Sequence, residues 1–174
     1  MRRMIAIAAA MLLGSASAAA AAGAPNDAQI AHIAYTAGQL DIAAANQALQ
    51  KSHNKAVRDF AEEMVRDHTA VNKEALALVT KLHVTPEDNA TSQALTTAAV
   101  QHRNDYAKLS GHAFDLAYAQ NEVAYHHSVN GALESTLIPD AQNAELKSLL
   151  QTGLKLFRMH EEHAEAVVKA LKSR

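Results

Sequence analysis

Imidazole is the reactive group this chain has in surplus. The sequence holds ten histidines and no cysteine, so a metal site here is built from imidazole and carboxylate, not thiolate. His68, His102, His126 and His160 each fall on the apolar stripe of a separate segment, and His163 lies one helical turn beyond His160. Carboxylates stand nearby: Asp41, Asp67, Asp115, and Glu122 one turn before His126. Helical bundles build metal sites from inward His, Asp and Glu on facing helices. The candidate ligands are therefore His68, His126, Glu122, Asp115, His160 and His163, with Asp67 and Asp41 as further carboxylates, and iron, zinc or copper as the ion. A second reading makes the same histidines core residues satisfied by hydrogen bonds. One spacing favours it. The di-iron pattern needs Glu-x-x-His on two helices, and no Glu-x-x-His occurs here.

Other chemistries find less support. Met64 and Met159 could serve as haem ligands, but there is no Cys-x-x-Cys-His attachment motif, and methionine on a helix stripe is usually packing. Nothing marks a nucleophile elbow or a Gly-rich phosphate loop. No catalytic residue is assigned, and the chain reads as a binding protein before an enzyme.

The elements that must position these side chains are helices. The chain has six glycines and three prolines among many Ala, Leu, Gln, Glu and Lys, all good helix formers. Apolar residues recur at three and four: Ile30, Ile33, Ala37, Leu40; Val57, Phe60, Met64, Val71; Leu95, Ala98, Tyr106; Leu116, Ala119, Val123; Leu146, Leu150, Phe157, Val167. Asn26 and Ser52 can cap the first two helices. Thr85 to Asn89 is a loop, Ser110-Gly111 a break, and Pro139 ends what precedes it. Helices are predicted at 27–50, 54–82, 91–109, 112–136 and 140–171, with no strand pattern. Short links make hairpins of helices one and two and of helices four and five. A long third helix joins the hairpins, which is the ferritin-like order of a four-helix bundle.

Depth along such a bundle sorts the candidates. His68 and His126 lie at similar depths below the top turn. Measured from a bottom turn at Pro139, His160 stands roughly 15 Å above His126 at the helical rise. Two groups are thus expected: His68 with His126 and Glu122, and Asp115 with His160 and His163.

The first residues read as an address. Arg2 and Arg3, an apolar run from Met4 to Leu13, and small residues through Ala22 form the layout of a secretory signal peptide. The expected division is a cleaved leader at 1–22 and one helical domain at 26–172, in the periplasm or secreted. Without Arg2 and Arg3 the 16 basic residues become 14, against 18 acidic ones, a formal charge of −4. That balance argues against nucleic acid, which needs a basic face. No later run is apolar enough to insert in a membrane. A protein partner or a homo-oligomer stays open.

Two stretches carry a family resemblance. Ala56-Val57-Arg58-Asp59-Phe60-Ala61-Glu62-Glu63-Met64-Val65-Arg66-Asp67-His68, followed by Asn72 and Leu76, is one. Leu109-Ser110-Gly111 running into Ala113-Phe114-Asp115, with Tyr118, His126, His160 and Ala164, is the other. They resemble the exported, ferritin-like domain of unknown function 4142, often labelled a putative outer-membrane protein. The resemblance spans nearly the whole chain after the leader. It implies a ferritin-like bundle and carries over Asp67, His68, Asp115, His126 and His160, but it implies no activity beyond a binding or stress-related accessory role. In helix one the family commonly has Glu where this chain has Gln39, which removes one candidate carboxylate.

Overall fold

The computed structural model describes residues 23–173, so the expected leader at 1–22 lies outside the described residues. The described residues form five long helices: α1 Asp27–Lys51, α2 Lys55–Lys81, α3 Ala90–Ala107, α4 Gly111–Ala132 and α5 Ala144–Lys172. Local chemistry sets most starts. Asn26, Asn54, Asn89 and Asn143 each accept from backbone N–H groups of the first turn they precede, which satisfies donors that would otherwise be orphaned. Asn26 and Gln29 form a reciprocal capping box. The cap of α2 is therefore Asn54, not Ser52, which is buried at the C-terminal end of α1.

Pro139 does not end α4 where the sequence suggests. The chain passes through a π-helical turn at Leu133–Leu137 and one further α-helical turn at Ile138–Asp140. A proline inside an α-helix loses one hydrogen bond and its ring meets the carbonyl four residues back. The wider turn takes up that conflict, with the Ile138 N–H reaching the Leu133 carbonyl five residues back. The fourth helical column thus runs to Asp140, and α5 begins only at Ala144.

Packing follows the hairpins. α1 lies against α2, α4 against α5, and α2 against α5, with α1 and α4 closing the fourth side. One end of the bundle gathers the start of α1, the loop before α3 and the start of α5. There Asp27 accepts from the Gln142 and Asn143 backbone N–H groups, both at 2.8 Å, and the Glu87 N–H donates to the Ala28 carbonyl at 3.1 Å. At the other end, Lys51 and Gln47 of α1 donate to the α3 carbonyls of Ala107 and Arg103, both at 2.9 Å. α3 thus runs along the outside against α1, with these bonds at its ends. Its expected apolar stripe is not buried. Ser92 is its one buried residue, and His102 is exposed, bonded to Asn121 at 2.8 Å. His102 therefore leaves the set of inward histidines.

The core has two apolar halves. One packs Val57, Phe60, Met64, Phe114, Tyr118 and Val167 near the α1–α2 turn. The other packs Ile30, Ile33, Leu133, Leu137, Leu146 and Leu150 at the opposite end. Between them lies a layer of buried polar side chains. No described helix is long and apolar enough to cross a membrane.

Candidate metal centre

Four helices deliver their polar side chains to one level. At the helical rise, Asp41 stands roughly 21 Å up α1 from Asp27, and His68 roughly 20 Å up α2 from Lys81. On the other hairpin, His126 stands roughly 21 Å above Asp140 and His160 roughly 24 Å above Ala144. The four heights agree to within about 5 Å, less than one helical turn. The separation expected between His126 and His160 disappears because the bottom turn sits at residues 141–143. The ring centroids are 5.3 Å apart for His68 and His160, 5.4 Å for His126 and His160, and 5.7 Å for His68 and His126. One nitrogen from each of the three lies within 4.8 Å of the others. His160 thus joins His68 and His126 in one group.

Asp41 completes the layer, and its side chain is 0 % exposed. Its Oδ2 lies 3.1 Å from His68 Nε2 and 3.4 Å from His126 Nε2. Neither contact is aligned as a hydrogen bond, and both Asp41 oxygens, His68 Nε2 and His126 Nε2 have no partner. Glu122 stands on the other side of His126, its Oε2 3.7 Å from Nδ1. It is grouped within 4.8 Å with Asp41 and His126.

Surrounding groups pin two of the rings. His126 Nδ1–H donates to the Glu122 carbonyl at 3.0 Å, so the lone pair of its neutral ring sits on Nε2, towards Asp41. His160 Nε2–H donates to Asp67 Oδ2 at 3.1 Å, leaving Nδ1 buried with no partner. Asp67 is itself held by Arg66 at 2.7 and 3.1 Å. His68 stacks on Phe157, with centroids 4.8 Å apart and planes 13° apart.

Electrostatics separate the groups further. Burial resists charge on Asp41, but His68, His126 and His160 around it hold its carboxyl below the usual range. Burial drives His126 down, against the opposing pull of Asp41. Burial, with His68 and His126 adding to it, brings His160 down to about 4 although Asp67 opposes this. Burial and the Asp41 charge push Glu122 well up, towards a neutral acid.

The remaining candidates sort plainly. His163 is 41 % exposed and donates to Glu63 at 2.7 Å, so it pairs away from the centre. Asp115 is buried on α4 with Oδ1 unpartnered, and it makes no ion pair with His160 or His163. His160 takes Asp67 instead. Asp115 is one turn above Tyr118 and two above Glu122, too far up α4 to reach the layer. Gln39 is exposed and bonds Tyr35, so the carboxylate of helix one is Asp41. Met64 is packed in the core while Met159 is 56 % exposed, so the two do not converge. The sequence reading missed Glu63, Arg66 as the anchor of Asp67, and Phe157. Only Phe157 left a signal, one turn before His160.

Comparison with curated proteins and with solved structures yields no match. The model of one family, described as a domain of unknown function (DUF4142), matches residues 13–167 and so takes in every residue of this layer. The chain belongs to the DUF4142 family.

Proposed function

We propose that this is an exported metal-binding protein with a ferritin-like bundle. It holds one divalent transition-metal ion between Asp41, His68, His126 and His160. The observation that carries this reading is the pair His126 Nε2 and Asp41 Oδ2. Each presents a lone pair to the other across 3.4 Å in the core. Such a contact is repulsive unless a cation lies between the two atoms. Burial keeps a second proton off His126, so a metal ion fits better than a proton. The unpartnered nitrogens of His68 and His160 point to the same need.

The supporting shell agrees. A ligating histidine commonly gives its other N–H to a carbonyl or carboxylate, which fixes the tautomer and strengthens the donor. His126 does so with the Glu122 carbonyl, and His160 with Asp67. A donor set of imidazole and carboxylate suits iron, manganese, zinc or copper(II) over soft copper(I). The hairpin–crossover–hairpin order supports the ferritin-like reading, since such bundles carry inward ligands on facing helices. Arg2, Arg3 and the apolar run after them support export.

Equilibrium dialysis against each of the four metals tests the reading. Close to one ion per chain is expected for the native protein. His126→Ala and Asp41→Asn should each weaken retention by at least tenfold, while His102→Ala should leave it unchanged. Retention that survives the first two substitutions would place the ion elsewhere and sink the proposal.

A further inference from the structure

A second feature adjoins the polar layer and does not depend on a metal. A cavity of about 1210 Å³ runs from His68 and His126 to the end of the bundle at Pro25, Gln29 and Asp140. Small residues stand where larger ones would fill it: Ala34 and Gly38 on α1, Ala75 on α2, Ala94 on α3 and Gly153 on α5. Val71, Val79, Leu95 and Leu149, also on its walls, remain only half-buried. Protein interiors leave few voids larger than a water molecule. An apolar void also offers water too few hydrogen bonds and accepts apolar molecules instead. The α2 wall from His68 to Val79 is roughly 16 Å long at the helical rise.

Unpartnered polar atoms line the inner end of the cavity, Asn72 Nδ2 and both ring nitrogens of His68 among them. Asn72 lines it, is 4 % exposed, and has no partner for Nδ2. Gly38 makes room for that carboxamide, since a Cβ there would come within 2.5 Å of Asn72 Oδ1. The Tyr125 hydroxyl is already used, donating to the Ala37 carbonyl at 2.8 Å, and the His68 and His126 rings belong to the polar layer described above. A buried N–H without an acceptor is costly, and a ligand oxygen would satisfy it. Ligand sites typically pair an apolar lining with a few such polar groups.

We propose that this cavity binds a single-chain aliphatic molecule with a neutral oxygen head. The head accepts from Asn72 Nδ2, and the chain extends towards Asp140. The head is neutral because Asp41 lies one turn beyond Gly38, and a second negative charge beside it in a low dielectric is repelled.

The test uses the purified protein after treatment with a chelator. Binding of 1-dodecanol and of dodecanoate is measured at pH 8 by displacement of an environment-sensitive fluorophore and by native mass spectrometry. One dodecanol per chain is expected, with dodecanoate at least tenfold weaker. Asn72→Leu should weaken dodecanol about tenfold, the loss of one hydrogen bond. Ala75→Phe should abolish binding with the helical circular dichroism intact, and Ala34→Phe repeats the test from the facing wall. No saturable dodecanol binding, or full binding by both phenylalanine variants, would overturn the proposal. So would dodecanoate binding as tightly as dodecanol, or an Asn72→Leu variant as tight as the native chain. Because no metal is present, this outcome is independent of the metal centre.

Discussion

Two acids at the centre of this molecule sit in opposite states, and that sets its response to pH. Asp41 is held ionised by imidazoles, while Glu122, one turn from His126, is held neutral by burial and by Asp41 itself. The histidines and Glu122 then act in opposite directions. His126 and His160 have folded pKa values below the unfolded value of 6.5, with His160 at about 4. As pH falls below 6.5 the unfolded chain binds protons that the folded chain refuses, so stability is lost from 6.5 towards 4. Glu122 is protonated when folded but ionises in the unfolded chain above 4.5, so its share of stability falls as pH rises. Glu122→Gln removes that second effect. Its melting temperature relative to the native protein, both metal-free, should climb steadily from pH 5 to pH 8. A constant difference would show that Glu122 is ionised in the fold. At Gly38 a methyl group meets Asn72 Oδ1 at 2.5 Å, so Gly38→Ala should cost about 1–3 kcal/mol in denaturant unfolding. At this scale the sequence was informative. His68, His126 and His160 fall on stripes, and Asp41 and Glu122 neighbour them. The partners that pin them were hidden, because Asp67 meets His160 and Glu63 meets His163 only across the α2–α5 contact.

Helix ends decide whether these side chains meet. The cap of α1 was legible because asparagine before a helical run has a local meaning, but Asn54 took the place expected of Ser52, and Asn89 and Asn143 were not foreseen. The π-helical turn was not legible. Pro139 locally disfavours a continuing α-helix, whereas Leu133 and Leu137 pack in the lower core and Glu134 pairs with Arg158 across to α5 from within the wider turn. That single element moved the bottom of the bundle and so brought His160 level with His126. α3 misled for a related reason. Its apolar residues repeat with helical spacing, yet Leu95 and Tyr106 meet the cores only half-buried, while Ala98 and Val100 face solvent. Asp27 fastens the other hairpin by accepting from two backbone N–H groups at the start of α5. Asp27→Ala should therefore cost about 2 kcal/mol, read as a lower urea midpoint with an unchanged slope. A change no larger than that of an ordinary surface substitution, about 0.5 kcal/mol, would mean that the junction is not held there.

The whole molecule is two apolar cores separated by a layer that weakens it. Burying three imidazoles and two carboxyls with unpartnered atoms costs stability that an aliphatic layer would not. A local rule broken this plainly, in a chain otherwise consistent from caps to core, points to function. The all-helical architecture and the hairpin pairing were readable from periodicity and short links. The level of each ligand was not, because it depends on where the columns end. The decisive measurement is anomalous diffraction from crystals of the metal-loaded protein, recorded at the absorption edge of the bound ion. The account predicts one peak per chain, enclosed by Asp41, His68, His126 and His160. A map with no peak there, or with peaks only at exposed histidines such as His53 and His112, would contradict it.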